Sequence, residues 1–511
     1  MSDWTAGYIT EIAYTHGYYK ELNPLRIRLG LLNASLMPPD TGNHCELGYG
    51  QGISVNIHAA ASNTTWHGSD FNPAHAIFAQ TLAHASGADA HLTDEAFLDF
   101  CNRSDLPDFD SIGLHGIWNW ISDENRMLIV DFISRKLKAG GVLYISYNTQ
   151  PGMAAMLPLR ELWVEHTEIM STRGEGCASR IDSAMHFTEK LFATNPIYAK
   201  LNPTVVENFI RIQKQNSYYL AHEYFNQNWL STSFSTMLKC LTQAKISYAC
   251  SALYREDIDV MNLTTEQQAF LSEIPDAMFR QTVRDFCVNR SFRRDYWVKG
   301  ERKLTKHEQI TALREESIIL VTPRIDVQLK VKSNVSEVNL HGAIYNPILD
   351  VLADHKIKTL GQIEQLVKDH GVSFTQLHQA IMVLASLDHL EAVQHESIIS
   401  QAKKQTDKLN TYLIDKAIGN SEINNLASPV TGGGVDVSRF QQLFLLAIRQ
   451  GKKDPVEWAE FVWHLLVSQG QKLVKKGEIL TTNEQNLAEL TEQARAFSEK
   501  RLPILKALKI I

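Results

Sequence analysis

Residues 45–52 read CELGYGQG, a short apolar lead followed by glycines at 48, 50 and 52. Glycines at alternate positions let backbone come close to a ligand, because no Cβ stands in the way. A dinucleotide-binding turn has the pattern G-x-G-x-x-G/A, whose third small residue allows close helix–strand packing. Here the spacing is G-x-G-x-G, and Ile53 stands where that small residue belongs. Glu46 sits two residues before the first glycine, where a carboxylate repels a pyrophosphate and suits a ligand carrying an ammonium group.

Around this turn, residues 40–150 alternate short apolar runs with helical stretches. HCEL (44–47), TWHGSD (65–70), DAHLT (89–93), FDSIGLH (109–115) and VLYISYN (142–148) read as strands. Between them ISVNIHAAAS (53–62), NPAHAIFAQTLAHAS (72–86), DEAFLDFC (94–101) and DENRMLIVDFISRKLK (123–138) read as helices. Pro73 suits a first helical position, and Gly140–Gly141 mark the end of the last helix. Strand–helix alternation at this spacing predicts a parallel sheet covered on both faces. The expected fold class is α/β, a Rossmann-like, mostly parallel sheet with large helical and winged-helix-like additions.

Ligands of such sheets bind outside the carboxyl ends of the strands. Asp70 ends the second strand, where a carboxylate can accept both hydroxyls of a ribose. Asp94 follows the third strand and suits an adenine amino group, with its neighbour Glu95 as the alternative. Each also has an ordinary reading as a helix cap. Ribose, adenine, ammonium and no phosphate together describe S-adenosylmethionine.

Beyond residue 150 the texture changes. Residues 156–245 are helical, ISYACSALY (246–254) and SIILVTPRIDVQLKV (317–331) read as strands, and the charged segment between them as helix. Residues 340–396 have a winged-helix-like pattern, and 401–434 form a polar link. Two helices, a hairpin at KLVKKGEILT (472–481) and a long final helix (483–506) complete the chain. The expected division is a catalytic domain over 1–155, a helical insertion over 156–245 and a regulatory segment over 246–335 that completes or extends the core. A middle domain with its linker covers 336–425, and a C-terminal winged-helix-like domain 426–511.

With 511 residues, 44% hydrophobic and 21% charged, the chain is an ordinary soluble multidomain protein. A net charge of −7 gives no general reason to bind nucleic acid or anionic lipid. The six cysteines are scattered without zinc spacing, so no metal is expected and the thiols read as reduced. The N-terminal residues lack a secretory pattern and no apolar run approaches a bilayer span, so the expected location is cytoplasmic, with no stable membrane insertion. NRSFRRDYWVKGERKLTKH (289–307) mixes basic and aromatic residues. It reads as a solvated helix face with ion pairs to Asp285 and Glu301 rather than a nucleic-acid patch. SFTQLHQAIMVLASL (373–387), the recognition-helix position of the middle module, carries no Lys or Arg, which makes nucleic acid an unexpected partner.

The stretches YITEIAYTHGYYKELNP (8–24), ELGYGQG (46–52), GSDFNP (68–73), LHGIWNWIS (114–122) and YNTQPG (147–152) resemble class I S-adenosylmethionine-dependent methyltransferases with a regulatory domain. The rickettsial outer-membrane-protein lysine methyltransferases are the best-known members. YYLAHEYFN (218–226) and DFCVNRSFRRD (285–295) resemble that regulatory domain, and LASPVTGGG (426–434) the family's C-terminal part. The resemblance implies a dimer with its dimerising region in the helical insertion. It also implies protein lysine as acceptor, with an outer-membrane or surface protein before export among the candidate substrates. Glu46, Gly48, Tyr49, Gly50, Gly52, Asp70, Phe71, Asp94, Glu95 and His115 are the expected cofactor contacts.

Methyl transfer to lysine needs a deprotonated amine held in line in a dry pocket, and aromatic faces favour both the cationic side chain and the sulfonium. Tyr14 and Tyr18 in a lid-like N-terminal segment, His115 and Trp118 after the fourth strand and Tyr147 at the end of the fifth are the expected catalytic or acceptor-site residues. Trp120, His16, Tyr19 and Asn148 stand beside them. HGIW replaces the (N/D)PP(Y/F) motif of enzymes acting on amide or adenine nitrogens. A small-molecule or other N/O acceptor, and a non-catalytic cofactor-binding scaffold, remain alternatives.

Overall fold

The protein is described by a computed structural model covering residues 7–12, 14–172, 174–332 and 337–511. Five parallel strands form the start of its central sheet: β1 (Asn43–Leu47), β2 (Thr65–Ser69), β3 (Ala90–Thr93), β4 (Phe109–Leu114) and β5 (Leu137–Asn148). With β6 (Ile246–Ser251) and β7 (Phe292–Lys299) the order is β3-β2-β1-β4-β5-β7-β6, β7 running antiparallel to both neighbours. The order reverses between β1 and β4, which opens a crevice at their carboxyl ends.

Helices α1 (Pro24–Asn33), α2 (Ile53–Ala61), α3 (Pro73–Ser86), α4 (Phe97–Cys101) and α5 (Asp123–Lys136) belong to this part of the chain. Local chemistry sets their ends. Asn72 caps α3 by accepting from the Ala74 N–H at 2.9 Å, Pro73 opens it, and Gly87 closes it at φ +67°. The expected glycine stop of α5 is not used. The helix ends at Lys136, and Gly140 and Gly141 lie inside the long β5 segment.

The insertion comprises α6 (Leu157–Ile169), α7 (Cys177–Ala193), α8 (Ile197–Leu201), α9 (Pro203–Ile212), α10 (Ser217–Tyr224) and α11 (Phe234–Thr242). Its own core of Trp163, Ile181, Phe209 and Leu220 also takes in Ile12 of the N-terminal segment. That contact draws α10 to the crevice.

Two expectations fail here. FRRDYWVK (292–299) is neither a solvated helix face nor a basic patch; it is the buried strand β7. Arg293 is only 3% exposed, paired with Asp285 at 2.7 Å and Asp295 at 2.8 Å, with its guanidinium 4.5 Å from the Phe234 ring centre. The ion pair to Asp285 was expected; burial within a sheet was not. Nor is 401–434 a link. Residues 396–416 form one helix packed on α2 and α3, followed by a hairpin over 425–428 and 433–436. Ile53, Ile57 and Leu82 share a continuous core with Ile399, Leu409, Leu443, Trp458 and Leu505, so the C-terminal part covers the α2–α3 side of the sheet. Residues 317–393 pair three short strands with helices 342–352, 360–366 and 374–386 around a separate core. Among the described residues no helix is long and apolar enough to cross a membrane.

Candidate functional site

The glycine turn sits at the crevice. Gly48, Gly50 and Gly52 all have positive φ (+68°, +57° and +71°), a conformation β-carbons disfavour. They have different tasks. Gly48 and Gly50 line a cavity of about 280 Å³. A Cβ on Gly52 would meet Ala79 Cβ at 2.4 Å, so Gly52 lets α3 approach the start of α2. It takes the packing role that Ile53 does not fill.

Asp70 secures the turn. Its carboxylate accepts from the Gly50 N–H at 2.8 Å, the Asn72 N–H at 3.1 Å and His75 Nδ1 at 3.1 Å. His75 Nε2 in turn accepts from the Tyr14 N–H at 3.3 Å, as the neutral tautomer allows. Glu46 is 1% exposed behind the turn, and its Oε2 has no hydrogen-bond partner among the described residues. Burial, reinforced by the nearby Asp70 charge, pushes its carboxyl up to about 8.

The N-terminal segment closes the crevice. Tyr14 O accepts from Gln51 Nε2 at 3.1 Å, and the Tyr19 N–H donates to Ser54 Oγ at 2.7 Å. On the other side Ile9 N–H reaches Asn226 Oδ1 at 3.1 Å, and Gln227 N–H reaches Gly7 O at 3.0 Å. Tyr14 and Tyr19 face the crevice. Tyr18 turns away to pack on Gly433 and Gly434 and against His58, while His16 pairs with Glu422 at 2.6 Å. Tyr18 thus holds the segment to the C-terminal hairpin instead of joining the catalytic group.

Below the segment lie two chambers. The first, the 280 Å³ cavity, is walled by Tyr49, Asp70, Phe71, Glu95 and the glycine turn. The second, of about 380 Å³, is lined by Asn148, Tyr219, Glu223, Tyr224, Phe292 and Arg294. Tyr14, Thr15, Tyr19, His115 and Trp120 border both. Tyr19 stacks on His115 with ring centres 3.5 Å apart, and His115 Nδ1 shares a 2.7 Å hydrogen bond with the Tyr144 hydroxyl. Burial drives the His115 imidazole down to about 3, so it is neutral at physiological pH.

Tyr18, Glu46 and Gly52 line neither chamber, and three more expected residues lie elsewhere. Trp118 is 2% exposed in the core with Phe132 and Ile133, while Trp120 takes the place at the chambers. Tyr147 is fully buried on the opposite face of β5, donating to Asp295 Oδ2 at 2.8 Å. Side chains alternate along a strand, so Tyr144 and Asn148 face the site and Tyr147 cannot. Asp94 is exposed and off the cavity wall. Glu95 is on it, with its carboxylate tied to Thr93 Oγ1 at 2.8 Å and Arg103 at 3.0 Å. The sequence reading missed Tyr8, Gln51, Tyr219, Glu223 and Arg294. For Tyr219 and Glu223 there was a signal, since i,i+4 spacing places them on one face of a helix.

No Lys or Arg is among the described residues lining the first chamber. A pyrophosphate would have no cationic side chain there, whereas the Asp70 and Glu95 carboxylates on the wall fit a ligand rich in donors and positive charge. Glu46, expected to contact it, lies buried behind the turn and off that wall.

Comparison with known proteins bears on the family and the fold. Residues 216–299 match the model of a "Predicted methyltransferase regulatory domain". That match runs from α10 to β7, the segment that supplies Glu223 and Arg294 and completes the sheet. An uncharacterized protein of Synechocystis sp. (strain ATCC 27184 / PCC 6803 / Kazusa) is 38% identical over 512 residues, covering 99% of each chain. An uncharacterized protein of Rickettsia prowazekii is 24% identical over 238 residues, 45% of this chain and 91% of that one. The structure of PKMT2 from Rickettsia typhi in complex with AdoHcy superposes with a TM-score of 0.69 at 17% identity, covering 96% of this chain and 99% of that one, so the two share a fold. On the sheet order, the glycine turn and a relative matched end to end, the chain belongs to the class I S-adenosylmethionine-dependent methyltransferases that carry a regulatory domain.

Proposed function

We propose that this protein transfers the methyl group of S-adenosylmethionine to lysine side chains of a protein. The observation that carries the reading is the pair of chambers sharing one wall of Tyr14, Tyr19, His115 and Trp120. The first has a carboxylate, backbone donors and no cationic side chain, which suits a positively charged nucleoside. Gly48 and Gly50 would approach its methionine end, Glu46 would balance its ammonium, and Asp70 would accept from its ribose. Bound there, the cofactor supplies an electrophilic methyl on a sulfonium.

The second chamber is rimmed by tyrosines, contains the Glu223 carboxylate and reaches the surface at Tyr219, which is 37% exposed. A carboxylate among aromatic faces suits an alkylammonium entering from outside. That AdoHcy, the demethylated cofactor, sits in a protein of the same fold supports the reading. The test is incubation of the protein and methyl-labelled cofactor with whole bacterial lysate, followed by peptide mapping. Label on lysine is the expected result. Label confined to small molecules would move the acceptor to the small-molecule class, and no calorimetric binding of the cofactor would make the protein a scaffold.

A further inference from the structure

Deprotonation of the acceptor requires a base inside the second chamber. His115 is unsuited: its imidazole is held neutral near 3 by burial, and Nδ1 is engaged with Tyr144. Tyr14 and Tyr19 are pushed upward, Tyr19 to about 12, by burial. They stay protonated. Arg294 is a cation committed to Glu21, 2.7 Å away. Glu21 lies at about 2, where the Arg294 and Arg26 charges overcome the opposing effect of burial. It is therefore a permanent counter-ion.

Glu223 differs from all of these. It lies partly buried on α10, one helical turn from Tyr219 and beside Tyr224, both of which line the same chamber. No salt bridge ties it among the described residues, and it shares its chamber with the wall that divides the acceptor from the cofactor cavity.

Resting on the lysine reading above, we propose that Glu223 is the catalytic base that takes the proton from the acceptor ammonium, with Tyr219 as its positioning residue. The ionised carboxylate first attracts R–NH3+ into the aromatic chamber. It then accepts one N–H proton and becomes a neutral acid. The freed nitrogen lone pair forms the N–C bond as the methyl's bond to sulfur breaks, the electron pair staying on sulfur. The product is a methylammonium, and Glu223 returns its proton to water. Burial raises the Glu223 carboxyl to about 7, opposed by the neighbouring Tyr219 hydroxyl, so the base is substantially ionised at neutral pH while still able to hold a proton.

The pH–rate profile tests this. With a pool of synthetic peptides each carrying a single lysine, the wild-type single-turnover rate should rise through about pH 7 and then level. In Glu223→Gln the rate at pH 7 should fall by roughly 10²–10⁴-fold. It should also keep rising about tenfold per pH unit towards the ordinary lysine value of about 10.4, because the reaction then depends on the free-amine fraction. Glu223→Asp should restore the plateau in part. Calorimetric binding of S-adenosylhomocysteine, unchanged in both variants, checks that the cofactor cavity is intact. A Glu223→Gln profile with the wild-type plateau overturns the proposal while leaving the lysine reading standing. A wild-type protein that binds S-adenosylhomocysteine but methylates no peptide overturns both.

Discussion

Replacing Glu46 by glutamine should stabilise the empty protein and impair it as an enzyme. The carboxyl is 1% exposed, with one oxygen unpartnered among the described residues, and burial together with Asp70 raises it from 4.5 to about 8. Below about pH 4.5 both folded and unfolded chains keep the proton, and the residue makes no pH-dependent demand. As pH rises the unfolded chain ionises first, so the stability associated with neutral Glu46 falls and is lost by about pH 8. At 1.36 kcal/mol per pH unit, that interval corresponds to roughly 4–5 kcal/mol, of which roughly 3 kcal/mol has gone at pH 7. Glutamine cannot ionise. The stability of Glu46→Gln relative to wild type should therefore grow from about pH 5 to pH 8 and then level. Urea unfolding followed by tryptophan fluorescence at several pH values measures it. A difference that does not vary with pH would refute the reasoning.

The same substitution tests the ligand. If the ammonium of S-adenosylmethionine lies beside Glu46, binding favours the ionised form and releases a proton near pH 7. Titrations in two buffers of different ionisation enthalpy should then show that release for wild type and its loss, with weaker binding, in the variant. Unchanged affinity and proton balance would place the ammonium elsewhere.

Asp70→Ala should weaken S-adenosylhomocysteine binding by about 1–3 kcal/mol, roughly five- to 150-fold, since it also strips the Gly50 N–H of its acceptor; calorimetry reads the loss. Gly52→Ala should cost about 2–4 kcal/mol in denaturant unfolding, the sum of a left-handed backbone and a 2.4 Å approach to Ala79 Cβ. Arg293→Met should cost about 3–5 kcal/mol, because Asp295 would be left buried without its cation and Asp285 with Arg290 alone, and unfolding midpoints at neutral pH should show it.

Local pattern determined a good deal of this protein. Period-2 and period-3.6 runs, caps and glycines sufficed for β1 to β5 and the helices between them, because those signals act within a few residues. CELGYGQG, Asp70 and the Asp94–Glu95 pair, together with the family resemblance, pointed to the cofactor class for a similar reason: in a parallel sheet, residues ending successive strands meet at one edge. Tertiary structure alone decided the rest. FRRDYWVK carries three cations in eight residues, and only distant partners, Asp285 for Arg293, Glu21 for Arg294 and backbone carbonyls for Lys299, let it be a central strand. WNW offers two tryptophans, and only the direction of a short 3-10 helix sends Trp120 to the chambers and Trp118 to the core. Tyr147 lost its place to the pleat of β5. Glu223 stands far from the glycine turn in sequence and reaches the site because Ile12 and α10 share a core. The first chamber is legible in sequence because it is built from strand ends. The second chamber is assembled from distant segments, so its chemistry appears only when the chain is folded.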